Sequence, residues 1–334
     1  MSPSISRTFL FLAAVAASNP LDPVAAPSSP LGPVAAVAAA AAADPGPLLQ
    51  QSFLWLPSAP AGTQAYVAFR ASFSLPPSAI ASATVHLFAD SRYQLYVNGA
   101  YLLRGPCRFN PKRPEYDSVD VAPYLVPGAN NSLAVLVHHY GPVINGRIMS
   151  HEPGLALYLE VNGAPALSTA PASAWRASAA TQYLPSPEAW SSIPDVIDAR
   201  ALGAMGGDWS ARDFNASAWE AAGPVNGSSW GALQPRAIPL LREAPVPGPL
   251  LVLPSGAPLA LPLTLAPGQA LTLNLTAMAM VYSNITLTAQ EAGSVVHVEY
   301  ALRYKGGAPS ETYGVGTNYT TAQGVQTFTG GDTW

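Results

Sequence analysis

This 334-residue chain contains one cysteine, Cys107, and only 10% of its residues are charged. A single thiol excludes an internal disulfide framework, so packing alone must hold the fold. A net charge of −4 with no basic cluster points away from a nucleic-acid partner. H-E-x-x-H, C-x-x-C, P-loop and G-x-S-x-G patterns are all missing, so no metal or other cofactor is expected, and a serine-hydrolase reading has no support. Convincing helical periodicity is missing too. Abundant instead are apolar residues, at 49%, with 35 prolines and 27 glycines. Short apolar runs punctuated by Pro and Gly point to β-sandwiches rather than helical bundles.

The N-terminus has the pattern of an export signal. Arg7 gives a positive start, Thr8 to Ala17 is a short apolar run, and small residues precede Ser18. Residues 1–17 are therefore predicted to be a signal peptide. Residues 18–47 alternate Pro and Ala and predict a low-complexity linker, not a membrane span. Six N-x-[ST] sequons, at Asn130, Asn215, Asn226, Asn274, Asn284 and Asn318, exceed the roughly two expected by chance and predict a glycosylated protein that is secreted or at the cell surface.

Strands are legible by period 2. Val67, Phe69, Ala71, Phe73 and Leu75 share one face, and Pro76-Pro77 ends the run. Val85 and Leu87 mark a second strand; Tyr93, Leu95 and Val97 mark a third, with Gln94 and Tyr96 facing the other way. Asn98-Gly99 between apolar runs predicts a tight hairpin, because both central positions need positive φ. Leu133 to Val137 is apolar on both faces and predicts a central strand. Leu155, Leu157, Leu159 and Val161 line one face of the next. The fold class expected is all-β: an antiparallel jelly-roll, galactose-binding-like sandwich over 48–245. Within it, Trp175, Trp190, Trp209, Trp219 and Trp230 are expected to anchor irregular segments rather than stand exposed. Over 246–334, Leu271, Leu273 and Leu275, then Ile285 and Leu287, then Val296, Val298, Tyr300 and Leu302 predict inward faces of a second β domain. Its few strands leave open edges, so it reads as incomplete.

Candidate chemistry is thin. Glu115, Asp117 and Asp120 form the densest acidic cluster, and glycoside hydrolysis uses a carboxylate pair. Asp117 and Asp120 are better read as satisfying turn N–H groups or pairing with Arg104, Arg108 or Arg113. His138-His139 ends a buried strand, and successive side chains there point to opposite faces, so the pair does not grip one metal. Cys107 has no activating neighbour in sequence. Tyr96, Tyr101, Arg104, Arg108 and Tyr116 combine aromatic faces with donors and are the candidate carbohydrate-binding residues.

The stretch Arg92 to Gly141 resembles the N-terminal β-domain of bacterial-type alpha-L-rhamnosidases, glycoside hydrolase family 78. The resemblance rests on Tyr93 to Gly99 (YQLYVNG), Arg104 to Arg108 (RGPCR), Tyr116-Asp117 and Asp120-Val121. It also rests on Tyr124 to Gly128 and on Val135 to Gly141 (VLVHHYG). It continues in Trp175-Arg176, Asp198-Ala199-Arg200, the W-x-x-x-x-F-x-x-S-x-W run from Trp209 to Trp219, and Pro235 to Leu241. The resemblance covers roughly Leu48 to Glu243. In that family a large helical (α/α) barrel following these domains carries hydrolysis, and no residue here matches its acidic motifs. The resemblance thus implies a non-catalytic portion of a secreted rhamnosidase-like hydrolase. Its partner would be that missing catalytic domain or a rhamnose-containing glycan. A free-standing carbohydrate-binding module and a cell-surface structural protein are the alternatives.

Overall fold

A computed structural model describes residues 7–13, 44–59, 62–141, 144–145, 148–149, 152–185, 195–241, 243, 250–275, 283–289, 291–305, 308–312 and 317–330. The expected cleavage site, most of the linker, Trp190 and the side chains of Tyr300 and Leu302 lie outside the described residues. Strand β1 (Arg7–Ala13) stands apart at the N-terminus. After a short helix (Gly46–Gln50) come β2 (Leu54–Trp55), β3 (Ala65–Ser74), β4 (Ala83–Asp90), β5 (Arg92–Val97), β6 (Ala100–Gly105), β7 (Glu115–Asp120) and β8 (Asn130–His139). A short pair, β9 (Ile144–Asn145) and β10 (Ile148–Met149), precedes β11 (Gly154–Val161), β12 (Ala164–Ser168) and β13 (Arg176–Ala179). Then follow β14 (Tyr183–Leu184), β15 (Val196–Asp198), β16 (Glu220–Ala221), β17 (Gly223–Pro224) and β18 (Gln234–Pro235). The last stretch holds β19 (Leu251–Leu253), β20 (Ala257–Pro258), β21 (Ala270–Asn274), β22 (Ser283–Ala289), β23 (Val295–Lys305), β24 (Ala308–Thr312), β25 (Thr317–Thr320) and β26 (Gly324–Gly330).

Two sheets face each other to form the sandwich. One is ordered β16-β13-β3-β8-β5-β6, the other β17-β2-β11-β4-β7-β18 with β12 beside β11. The pairing is antiparallel except where β18 runs parallel to β7. As the doubly apolar run implied, β8 is central, paired along its length with β3 (Ala65↔His139 to Ser74↔Asn130) and with β5. The hairpin forms at Asn98 and Gly99, with φ of 51° and 87°. Asn98 also locks the turn to its neighbour: its Oδ1 accepts from Ser132 N and its Nδ2 donates to Asn131 Oδ1.

Alternation sends Val67, Phe69, Leu87, Leu95, Val135, Val137, Leu157 and Leu159 into one core, where each is fully buried. Trp175 joins them and donates its indole N–H to Ser168 O at 2.8 Å. Trp230 anchors the outer face of the second sheet, stacked on Phe53 at 4.3 Å, and donates to Asp90 at 3.1 Å. The anchoring role expected for these tryptophans is what the buried rings perform.

A third sheet is gathered from three distant parts of the chain, in the order β14-β15-β25-β23-β1-β21-β19-β20. Strands β14 and β15 come from the loosely patterned middle, and β15 runs parallel to β25. Residues 7–13 of the stretch read as a leader lie here as β1, parallel to both β21 and β23. Its own small core is Ile197, Leu273, Leu275, Val296, Val298, Tyr319 and Phe328, and β22 pairs with β26 in a separate layer. No helix among the described residues is long and apolar enough to cross a membrane.

Candidate functional site

The outer face of the β16-to-β6 sheet carries the side chains that alternation turns away from the core. Tyr66 from β3 is sandwiched between His138 at 3.7 Å and Tyr183 at 4.4 Å, and its hydroxyl donates to Asp195 at 2.6 Å. Tyr183 also packs against the core of the third sheet, so this stack joins the two regions. His139 points the other way, its ring edge against Trp55 and its Nδ1 3.6 Å from Asp90. The two histidines therefore do not converge. Among the described residues no group of His, Cys, Asp and Glu could hold a metal ion.

Three of the five candidate sugar-binding residues meet on this face. Tyr96 packs edge-on against Tyr101 at 5.7 Å and Trp209 at 5.4 Å, and donates to Gln94 at 2.7 Å. Burial pushes its phenol up to about 12. Tyr101 donates to Glu243 at 2.7 Å; burial, then that bond, raises its phenol. Arg104 lies alongside and lines a small cavity with Tyr66, Arg92, Gln94, His138 and Asp195. At about 30 Å³ that cavity holds a water, not a sugar ring. Arg108 is exposed on the loop beyond it. Tyr116 sits on the far side of the sandwich, 3% exposed, donating to Asp44 at 2.9 Å.

The acidic cluster is spread among separate tasks. Asp117 is fully buried, accepting from Tyr93 at 2.5 Å and from Arg236 at 2.9 Å. Its cation is thus Arg236 rather than Arg104, Arg108 or Arg113. Asp120 accepts from Ala122 N at 3.0 Å, the turn role expected of it. Glu115 accepts from the Cys107 thiol at 3.6 Å, and burial raises that thiol's pKa, opposite to activation.

A larger concavity lies at the β13 edge of the same sheet. It measures about 430 Å³ and is lined by Leu56, Ser58, Ala177 to Ala179, Ala204 to Gly206, Phe214, Asn215 and Ala218 to Glu220. Its wall is the Trp209–Trp219 segment, folded into successive turns closed by Phe214 N to Ala211 O and Trp219 N to Ala216 O. Arg70, 1% exposed on β3, clamps that wall. Its guanidinium donates to Trp209 O at 3.1 Å and Arg212 O at 2.5 Å, and lies 5.7 Å from the Phe214 ring. Gly206, at φ 86°, ends the preceding turn of 3₁₀ helix and lets it approach Phe214. Sequence reading missed this groove. Its signal was Arg70, a lone cation on the alternating outer face of β3, and the aromatic run that turns back onto it.

No protein-family model matches the chain, and no curated protein matches it. Solved structures do. A GH78 family rhamnosidase of Bacillus sp. GL1 is 25% identical, with a TM-score of 0.53 over 84% of this chain and 33% of its own. An alpha-L-rhamnosidase from Dictyoglumus thermophilum is 16% identical, with a TM-score of 0.57 over 84% of this chain and 32% of its own. One from Aspergillus terreus is 18% identical, with a TM-score of 0.56 over 83% and 32%. The chain thus spans about a third of the length of these structures. In fold, and over most of its length, it resembles the N-terminal β-domains of GH78 alpha-L-rhamnosidases.

Proposed function

We propose that this chain is the non-catalytic β-sandwich portion of a secreted alpha-L-rhamnosidase-like glycoside hydrolase. In this reading the sandwich supports or positions a catalytic (α/α) barrel. The observation that carries it is the likeness itself, which covers 84% of this chain and about a third of each relative. The geometry supports a supporting role. Of the acids that could make a carboxylate pair, Asp117 is buried against Arg236, Asp120 holds a turn and Glu115 accepts from the Cys107 thiol. Export is supported by sequons in accessible positions. Asn130, Asn215, Asn226 and Asn284 are exposed, and Asn215 and Asn226 hold their sequons in turns by accepting from Ser217 N and Ser228 N. Asn274 and Asn318 lie half-buried in strands, and Asn318 Oδ1 is 2.9 Å from His297 Nδ1.

The second reading is a free-standing carbohydrate-binding module, favoured by the 430 Å³ groove. Sequencing the transcript across and beyond the Trp334 codon separates the two. A reading frame that continues into a long helical domain is expected. A stop codon directly after it in every transcript would replace the first reading with the second.

A further inference from the structure

We propose that the groove beside Trp219 binds a neutral pyranose sugar; the ligand class rests on the carbohydrate-active reading above. Size comes first. About 430 Å³ falls within the range of small-molecule sites, whereas the cavity near Arg104 has room for one water. The lining has two characters. Half-buried Phe214 and exposed Ala218 supply accessible apolar surface, with Trp219 and Met205 packed behind them at 9% and 2% exposure, and Ser58, Ser178 and Glu220 supply polar atoms. A pyranose has the same division, with C–H groups on a ring face and hydroxyls around the edge. A wall that carries the Phe214 ring beside a few polar groups fits it.

The floor adds main-chain groups. Strand β16 pairs with β13 only at Arg176 and Ala177, so Ser178 and Ala179 continue as a sheet edge with no strand beside them on that side among the described residues. Such an edge offers N–H and C=O groups to hydroxyls. Charge selects further. Glu220 is the sole ionisable group among the lining residues, and its Oε2 accepts from Ser58 Oγ at 2.5 Å. A carboxylate without a lining cation repels an anionic sugar and accepts from a neutral sugar's hydroxyl. The site is also built rather than incidental, because Arg70 fixes its aromatic wall from the sheet below.

Asn215 stands on the rim within a sequon, so a glycan there would cover the groove. The test therefore uses the full chain made without N-glycosylation. It is titrated with L-rhamnose and, separately, with D-galacturonate, following tryptophan fluorescence and heat. Ala218→Trp fills the groove from an exposed position without removing a core side chain, and Glu220→Gln removes the carboxylate. Tyr101→Ala disturbs the other candidate patch. Rhamnose is expected to bind in preference to galacturonate, with affinity weakened about ten-fold by Ala218→Trp and less by Glu220→Gln, and unchanged by Tyr101→Ala. Each variant's melting curve confirms folding. Three results would overturn the proposal: no rhamnose binding, tighter galacturonate binding, or rhamnose binding that Ala218→Trp leaves intact. If binding is lost in Tyr101→Ala alone, the carbohydrate reading survives and the groove does not.

Discussion

Every strand of the two facing sheets comes from residues 54–235, and the central ladder β3-β8-β5 is built wholly within residues 65–139. The third sheet takes neighbouring strands from residues 7–13, 183–198 and 251–320. The cores differ in the same way. One runs unbroken from Leu54 through Val135 and Leu157 to Trp175, while the other is the small group around Leu273, Val298 and Tyr319. Closing long loops costs entropy before any apolar contact is gained. The first region recovers that cost within itself. The second depends on strands delivered from elsewhere, above all β1, which alone connects β21 to β23. Autonomy here is a property of which segments pair, not of how apolar they are.

The largest test of that contrast is removal of residues 1–17. Without β1 the third sheet divides between Ala270–Asn274 and Val295–Lys305. Hydrogen exchange there should rise towards unfolded rates, while β3, β5 and β8 keep their protection. Equal loss in both regions, or no loss in either, breaks the comparison. The same segment is the expected signal peptide, so export with cleavage would vacate this slot and require another strand to fill it. N-terminal sequencing of protein recovered from the medium shows whether the segment is retained.

A smaller effect sharpens the first half of the comparison. Asp117→Ala leaves Arg236, whose side chain is 6% exposed, without its buried carboxylate and also takes the acceptor from Tyr93. Breaking a buried pair from one side costs about 3 kcal/mol or more. The loss should appear as a lower melting temperature of the sandwich, with exchange in β21 and β23 unchanged.

The smallest effect is one of pH. His86 on β4 lies between Tyr116 and Tyr158, with Nδ1 2.8 Å from Ser118 Oγ. Burial lowers its pKa, opposed in part by Asp44. The unfolded chain therefore takes up this proton first as pH falls. The sandwich should lose a little stability as pH drops through about 6.5, the ordinary histidine value, and His86→Asn should flatten that slope. A slope of the opposite sign would place the imidazolium, not the neutral ring, in the folded state.

Much of the sandwich was legible because period 2 and turn chemistry are local. Val67 to Leu75, the Asn98-Gly99 turn and the doubly buried Leu133 to Val137 each declare themselves within ten residues. Pairing of Val196–Asp198 with Asn318–Thr320 leaves no such trace, since parallel partners more than a hundred residues apart share no local pattern. The candidate site failed to converge for a related reason. Parity shows that Tyr96 and Tyr116 both leave the core, but not that their strands belong to opposite sheets. Asp117 shows the same limit: its charge was visible, while its partner Arg236 arrives after β18 folds back beside β7.

The most direct test of the functional account is to incubate the full chain with an aryl alpha-L-rhamnoside and follow release of the aryl group. Hydrolysis by two carboxylates needs them about 5–9.5 Å apart across the bond. The groove presents Glu220 as its one carboxylate, and Asp117 is sealed against Arg236 and Tyr93. No release above the buffer rate is predicted. Turnover by this chain, abolished by Glu220→Gln or by any single acidic substitution, would contradict the account and place a catalytic centre on the β-sandwich itself.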